Sequence, residues 1–193
     1  MQNLSPIGWA VRPIKRYAEF SGRSSRAEFW WFILALFVIY MVMWMVFVGA
    51  MAGSIATAQG NPSSGMLGAI GVGGIVVGLF WLALIIPTIA VQVRRLHDTD
   101  RSGWWLGGYY LLYVVYFVLM FTMIVPIMSQ TVVEADTAPA LPSSGMFVGI
   151  ILFGTVMFIY MIALLVFFCL PGTRGANRFG DDPYGADVEE VFA

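Results

Sequence analysis

Three stretches of this sequence contain neither a charged residue nor a histidine, and their length constrains the fold more than any other feature. They run from residue 29 to 93, from 102 to 133 and from 137 to 173. A helix needs about 20 apolar residues to cross the hydrocarbon core of a bilayer. The uncharged stretches therefore predict an integral membrane protein.

Composition excludes several other classes of protein. Apolar residues make up 60% of the 193 residues and charged residues 11%, whereas a soluble domain has about 25% charged residues. The net charge of −1 argues against a nucleic-acid-binding protein. The single cysteine, Cys169, excludes an internal disulfide and a cysteine-based zinc site. We expect neither a metal nor another cofactor.

Four helices are expected to cross the membrane. The first uncharged stretch is long enough for two crossings, and the turn-forming residues from Gln59 to Gly65 divide it. The expected spans cover about residues 29–57, 66–92, 103–129 and 145–170. The sequence thus predicts an all-α membrane protein, a four-helix bundle built from two helical hairpins.

The distribution of cations predicts the orientation of these spans. All ten lysines and arginines lie before the first span, between the second and third spans, or after the fourth. Because cytoplasmic segments carry the excess of lysine and arginine, both termini and the central loop are expected in the cytoplasm. We therefore expect a cytoplasmic segment over 1–28, a membrane domain over 29–170 and a cytoplasmic tail over 171–193.

Two local patterns precede the first span. In Pro13–Phe20, helical spacing puts the apolar residues on one face and the charged residues Lys15, Arg16 and Glu19 on the other, and proline suits the first position of a helix. We expect a short amphipathic helix here, lying in the membrane interface. Ser25 and Glu28 then have the spacing of a capping box, which would begin the first span.

Glycine pairs four residues apart occur in the first two spans. They are Gly49 with Gly53 and Gly74 with Gly78. Small residues at this spacing let helix backbones approach closely within lipid. We expect these faces to pack, either inside the bundle or between copies of the chain in a homo-oligomer.

Three blocks of residues around the spans resemble a known family. The first is Phe20-Ser-Gly-Arg-Ser-Ser-Arg-Ala-Glu-Phe-Trp-Trp31, the second contains Arg94-Arg-Leu-His-Asp98 and Ser102-Gly-Trp-Trp105, and the third contains Pro171-Gly-Thr, Asn177-Arg-Phe-Gly180 and Asp182-Pro183. These blocks resemble the bacterial inner-membrane family of the domain of unknown function 805, over about residues 10–185. The resemblance implies a small integral protein of the bacterial inner (plasma) membrane and implies no activity. Asp100 stands where the family pattern has glycine, and Asp181 where it has proline.

The basic residues of these blocks suggest a binding role. By the expected topology they meet on one side of the membrane, where arginines and helix N-termini would form an anion site. The main hypothesis is a non-catalytic binding or scaffold protein that holds an anionic phospholipid headgroup, a small anion or an acidic partner segment. The candidate anion ligands are Arg23, Arg26, Arg94, Arg95, Arg101 and Arg178, and the candidate structural or orienting residues are Ser25, Glu28, His97, Asp98 and Asn177. In the alternative, the same arginines pair with nearby carboxylates in a structural ion-pair network.

Two other functions are weighed against binding. A small transporter or channel for a neutral solute could use the tyrosine stripe of Tyr109, Tyr113 and Tyr116, but ionisable residues, which usually mark such pathways, are absent from the spans. An interfacial enzyme could use His97 as a base oriented by Asp98, with Ser102 as the nucleophile. A single histidine in a capping loop is weak support for catalysis, and we expect no catalytic residues.

Overall fold

The computed structural model describes residues 4–57, 63–133 and 144–183. These residues form five α-helices and no sheet, which confirms the predicted all-α fold. The helices are α1 (Pro6–Lys15), α2 (Arg26–Thr57), α3 (Ser63–Asp98), α4 (Trp104–Val133) and α5 (Ser144–Cys169).

Four of the helices are long and apolar enough to cross a membrane. The qualifying segments are Arg26–Ser54, Gly71–Asp98, Trp104–Val125 and Phe147–Cys169, so the predicted number and order of spans are confirmed. Large apolar side chains cover their outer surfaces; Val46, for example, is 68% exposed. Such surfaces suit lipid as the solvent, because a water-soluble protein rarely exposes large continuous apolar patches.

One compact unit contains α1, α2, α3 and the C-terminal segment that begins at Pro171. Helices α2 and α3 run antiparallel, since Phe47 lies against Gly73 while the earlier Tyr40 meets the later Phe80 ring edge-on at 6.2 Å. Near the charged end of this hairpin, the buried apolar core is formed by Phe29, Phe32, Leu36, Ala90, Val91 and Leu96.

Within the unit of α1, α2 and α3, the two glycine pairs do not make the close contact that the sequence predicts. A Cβ atom added to Gly74 or Gly78 would meet nothing within 4 Å, and the same holds for Gly49 and Gly53. The close approach is at Gly73 instead, where a Cβ would lie 2.7 Å from Cδ2 of Phe47. Successive helical residues are about 100° apart, so the Gly74–Gly78 stripe lies beside this contact, where it borders a groove that Trp44 and Phe47 also line. Packing of that stripe between copies of the chain stays a prediction.

The second compact unit consists of α4 and α5. The ring of Tyr116 stacks on Phe153 at 5.9 Å, and Tyr109 stacks on Tyr160 at 5.9 Å. The Tyr160 hydroxyl donates to the Trp105 carbonyl at 2.7 Å. These contacts give the tyrosine stripe of α4 a packing role against α5.

The N-terminal helix exists, but its predicted position is wrong. Helix α1 begins at Pro6 and ends at Lys15, with Pro13 buried inside its final turns rather than at its start. Ser5 caps the helix, because its Oγ accepts the N–H of Gly8 at 3.2 Å. A serine followed by proline is a strong start signal, and Ser5-Pro6 outweighs the later Pro13.

Serine side chains cap two of the long helices. The Oγ of Ser25 accepts the N–H of Glu28 at 3.2 Å, as the predicted capping box requires. The Glu28 carboxylate does not complete the box but points to arginine side chains, which corrects that half of the prediction. At α4, the Oγ of Ser102 lies 3.3 Å from the N–H of Trp104 and accepts it.

Candidate functional site

Five charged side chains are buried where α2 begins and α3 ends. None of them is more than 6% exposed, and Arg94, Arg95 and Asp98 are fully buried. A buried charge is tolerated only when it is paired and hydrogen-bonded. We call this group the ion-pair cluster; its members are Arg23, Glu28, Arg94, Arg95 and Asp98.

Asp98, the last residue of α3, joins two arginines. Its Oδ1 accepts from Nε of Arg23 at 3.0 Å, and its Oδ2 accepts from Nη1 of Arg95. The other nitrogens of Arg23 donate to backbone carbonyls of the C-terminal segment, at 2.6 Å to Gly175 and 2.5 Å to Thr173. Arg23 therefore ties the segment before α2 to both α3 and the C-terminal segment.

The C-terminal segment also contacts Asp98 through its backbone. The N–H of Thr173 donates to the Asp98 carbonyl at 2.8 Å, which satisfies an orphan acceptor at the end of α3. A Cβ atom on Gly172 would lie 2.7 Å from Cγ of Asp98. The absence of a side chain at Gly172 thus lets the segment lie directly against the carboxylate.

Arg94 connects α3 to the residues that precede α2. Its Nη2 donates to Oε1 of Glu28 at 3.2 Å, and its Nη1 donates to the Glu19 carbonyl. The Arg94 carbonyl in turn accepts the N–H of Ser24 at 3.1 Å. A single residue thus binds the N-terminal segment through both its side chain and its backbone.

Two more arginines lie near Glu28. Nε of Arg12 is 3.6 Å from Oε2, and Nη1 of Arg16 is 3.9 Å from Oε1. Arg16 also forms a bidentate pair with Glu19, at 2.7 and 2.6 Å. Hydrogen bonding in this pair raises the pKa of Arg16 and lowers the pKa of Glu19. Three guanidinium groups therefore share the Glu28 carboxylate.

His97 belongs to the contact between α3 and the C-terminal segment. Its ring stacks on Phe179 with centroids 3.9 Å apart, and its Nδ1 lies 3.2 Å from the Gly22 carbonyl. Nδ2 of Asn177 donates to the His97 carbonyl at 2.9 Å and to Oγ1 of Thr173 at 3.0 Å. These contacts hold His97 and Asn177 in structural positions.

The six predicted anion ligands separate into three groups. Arg23, Arg94 and Arg95 are buried in the ion-pair cluster. Arg26 and Arg178 are exposed, and Nε of Arg178 pairs with Asp100 at 3.0 Å on the surface. Arg101 lies in the second unit, where its guanidinium covers the Phe167 ring at 4.1 Å.

The arrangement needed by the enzyme hypothesis does not form around His97. The Asp98 carboxylate contacts two guanidinium groups, while the imidazole Nδ1 faces the Gly22 carbonyl. The Ser102 hydroxyl caps α4. In the part of the chain that the structure describes, no group of three or more histidine, cysteine, aspartate or glutamate side chains could hold a metal ion.

Several residues of this region were missed by reasoning from the sequence. Arg12 and Arg16 approach Glu28, and Thr173 binds the end of α3. Tyr17 donates to the Ala83 carbonyl in α3 at 2.6 Å. The sequence contains one signal for the contact with Ala83. Pro87, four residues later, has no N–H, so the Ala83 carbonyl lacks its usual donor within the helix. The other pairings join distant parts of the chain and leave no local pattern.

Comparison with known proteins gives a family and two relatives. The sequence matches the family model described as Protein of unknown function (DUF805) over residues 17–181. It is 29% identical over 179 residues to the inner membrane protein YhaH of Escherichia coli strain K12, covering 92% of this chain and 97% of YhaH. It is 30% identical over 177 residues to the inner membrane protein YhaI of the same strain, covering 91% of this chain and 94% of YhaI. No solved structure matches the chain.

Proposed function

The chain belongs to the DUF805 family, and on that premise we propose that it is a non-catalytic scaffold of the bacterial inner membrane. The ion-pair cluster fixes the N-terminal residues and the C-terminal segment on the end of α3. Together these parts form a platform, which we define as residues 4–28, 94–100 and 171–183. The platform lies on the cytoplasmic side, and the exposed cations of its N-terminal residues hold an anionic ligand.

The observation that carries this proposal is the internal pairing of the buried arginines. Arg23 and Arg95 donate to Asp98, and Arg94 donates to Glu28. A ligand would have to displace these acceptors to reach the guanidinium groups. Removal of one partner from a buried ion pair costs about 3–5 kcal/mol, so the cluster acts as a structural connection. Ligand binding is left to the exposed cations at its edge.

Two observations support the orientation. All lysines and arginines lie outside the predicted outward-facing loops, as the positive-inside rule requires of cytoplasmic segments. The two relatives described above are named inner membrane proteins. Both termini and residues 99–103 would therefore face the cytoplasm.

Cysteine labelling tests the orientation. In a Cys169→Ser background, Ala176→Cys lies on the exposed C-terminal segment, and Asn61→Cys marks the connection between α2 and α3. In intact spheroplasts, a membrane-impermeant maleimide should label Asn61→Cys and spare Ala176→Cys. Inverted membrane vesicles should give the opposite pattern. Labelling of Ala176→Cys in intact spheroplasts would contradict the cytoplasmic platform.

The conservative variant Arg95→Lys tests the structural role of the cluster. Lysine keeps the charge but loses the planar fork of donors, so the melting temperature should fall while co-purified anionic lipid stays constant. The matched control is Arg178→Lys, at an exposed ion pair of small energetic value. Loss of lipid at an unchanged melting temperature in Arg95→Lys would instead make Arg95 a ligand-binding residue.

A further inference from the structure

Helix α1 has an apolar face that α2, α3 and the C-terminal segment leave uncovered. Ile7, Val11 and Ile14 are 75%, 37% and 45% exposed. Their spacing of four and three residues places them on one side of the helix. The opposite side contains the buried Pro13 and packs mainly against α2. The helix therefore has one face bound to protein and one apolar face directed away from it.

The contacts of α1 place it at the boundary of the membrane-spanning region. Arg12 lies 3.6 Å from Glu28 in the first turn of α2, next to the start of the uncharged stretch. Two residues after the helix end, Tyr17 bonds to Ala83 inside the apolar part of α3. Trp30 and Trp31, half-exposed residues in the second turn of α2, are of the type that is enriched at the level of lipid headgroups. The apolar face of α1 is thus at a depth where lipid can cover it.

The charge of α1 is suited to anionic lipid. The helix contains Arg12 and Lys15 and no acidic residue, and their spacing puts both on one flank of the apolar face. Arg16 and Arg94 also approach the Glu28 carboxylate, and Arg16 pairs with Glu19 as well. Four cations in this region, counting Arg12 and Lys15, thus face two carboxylates. Since the side chain of Arg12 stays 40% exposed, positive charge remains available to an anionic group beside the helix.

We propose that α1 is an in-plane membrane anchor that binds anionic phospholipid through Arg12 and Lys15, with Ile7, Val11 and Ile14 inserted among the acyl chains. This inference rests on the proposed function and names its ligand. Burial of an apolar helix face combined with attraction to anionic headgroups is the general mode of binding for interfacial helices. The ion-pair cluster then fixes the anchor to the transmembrane helices.

A depth measurement tests the insertion of α1. The full-length protein, in a Cys169→Ser background, carries one spin label at position 7, 11 or 14 and is reconstituted into vesicles of phosphatidylcholine and phosphatidylglycerol at three to one. Labels at positions 176 and 46 provide the aqueous and membrane controls. The three α1 labels should be accessible to oxygen and protected from a water-soluble nickel reagent. Nickel accessibility equal to that at position 176 would overturn the anchor.

A lipid-preference measurement tests the role of the cations. The double variant Arg12→Gln/Lys15→Gln is compared with Arg174→Gln/Arg178→Gln, which removes the same charge from the C-terminal segment. Native mass spectrometry of protein from mixed micelles reports bound phosphatidylglycerol against phosphatidylcholine. One cation near a membrane surface contributes about five-fold to binding, so the α1 variant should lose about 25-fold in preference, and the control should lose little. Equal losses in both variants, or no loss in the α1 variant, would overturn the assignment of the site to α1.

A second variant guards against an effect of misfolding. Ile7→Ser/Val11→Ser leaves Arg12 and its contact with Glu28 in place but removes apolar area from the lipid face. This variant should retain the melting temperature of the parent, since the two side chains are exposed. A spin label at position 14 of the variant should become accessible to the nickel reagent. Nickel accessibility of the α1 labels in the otherwise unchanged protein would refute this inference alone, whereas labelling of Ala176→Cys from outside would refute the proposed function.

Discussion

The hydroxyl of Tyr17 donates a 2.6 Å hydrogen bond to the carbonyl oxygen of Ala83. Ala83 is four residues before Pro87, which lies inside α3 and has no N–H to offer that carbonyl. An unsatisfied backbone group in an apolar environment is costly, and neighbouring side chains commonly satisfy the groups that a transmembrane proline frees. Tyr17 therefore supplies the hydrogen-bond donor that Pro87 lacks, and it attaches the N-terminal segment to α3.

A double-mutant cycle tests this relationship. Tyr17→Phe removes only the hydroxyl and should cost about 1 kcal/mol of stability, a typical value for one hydrogen bond. In a Pro87→Ala background the carbonyl regains an intrahelical donor, so the same change should cost much less. Thermal unfolding of the four proteins in one detergent gives the coupling energy. Equal costs of Tyr17→Phe in both backgrounds would show that the hydrogen bond does not compensate for Pro87.

Two adjacent glycines of α3 should respond differently to substitution, because Gly73 lies in a close contact between helices and Gly74 belongs only to the small-residue pattern. Gly73→Ala should destabilise the α2–α3 hairpin by about 1–3 kcal/mol, the usual cost of overpacking, because the new methyl group meets the Phe47 ring. Gly74→Ala enters open space and should leave the melting temperature of the monomer unchanged or slightly raised.

Phe47, the residue that Gly73 contacts, provides a control for the effect of Gly73→Ala. Phe47→Leu should restore stability in the Gly73→Ala background, since the smaller side chain makes room for the methyl group. If Gly74→Ala were the more harmful of the two glycine variants, then the Gly74–Gly78 stripe would be a tight contact, and an oligomer through that face would be indicated.

Asp100 has a backbone conformation that favours glycine. Its φ angle is +56°, in the left-handed region, which costs most non-glycine residues about 1–2 kcal/mol. Its carboxylate pairs with Arg178, but both side chains are about half exposed, and such pairs contribute about 0–1 kcal/mol. Asp100→Gly should therefore match the parent in melting temperature, while Asp100→Ala, which keeps the strain and loses the ion pair, should melt lower. An Asp100→Ala protein as stable as Asp100→Gly would contradict the strain argument.

The spans could be predicted from the sequence because their signal is local. Uncharged runs and turn formers are properties of neighbouring residues, and they give four helices whose structural bounds lie close to the predicted ones. The position of α1 was mistaken because two prolines competed as helix starts. Serine before the earlier proline makes it the stronger local start signal, and the hydrogen bond from the N–H of Gly8 to the Ser5 hydroxyl shows that the helix begins there.

The ion-pair cluster could not be resolved from the sequence. Arg23 binds a carboxylate 75 residues away and a carbonyl 152 residues away, and no periodicity encodes such distances. Asp98 and Asp100 are identical residues two positions apart, yet one is fully buried between arginines and the other is exposed. The sequence alone left open whether these arginines serve a ligand or each other, because the two functions use the same residue types.

The most direct test of the central claim compares Asp98→Asn with Asp100→Asn. Each variant removes one carboxylate charge, but only the first leaves two buried guanidinium groups without their anion. Hydrogen exchange, read by mass spectrometry, is measured for residues 16–24 and 171–183 of both purified proteins. Asp98→Asn should raise exchange in the two segments together and destabilise the platform by about 3–5 kcal/mol, while Asp100→Asn should leave both protected. Unchanged protection of the two segments in Asp98→Asn, with loss of bound anionic lipid, would contradict the structural role of the cluster.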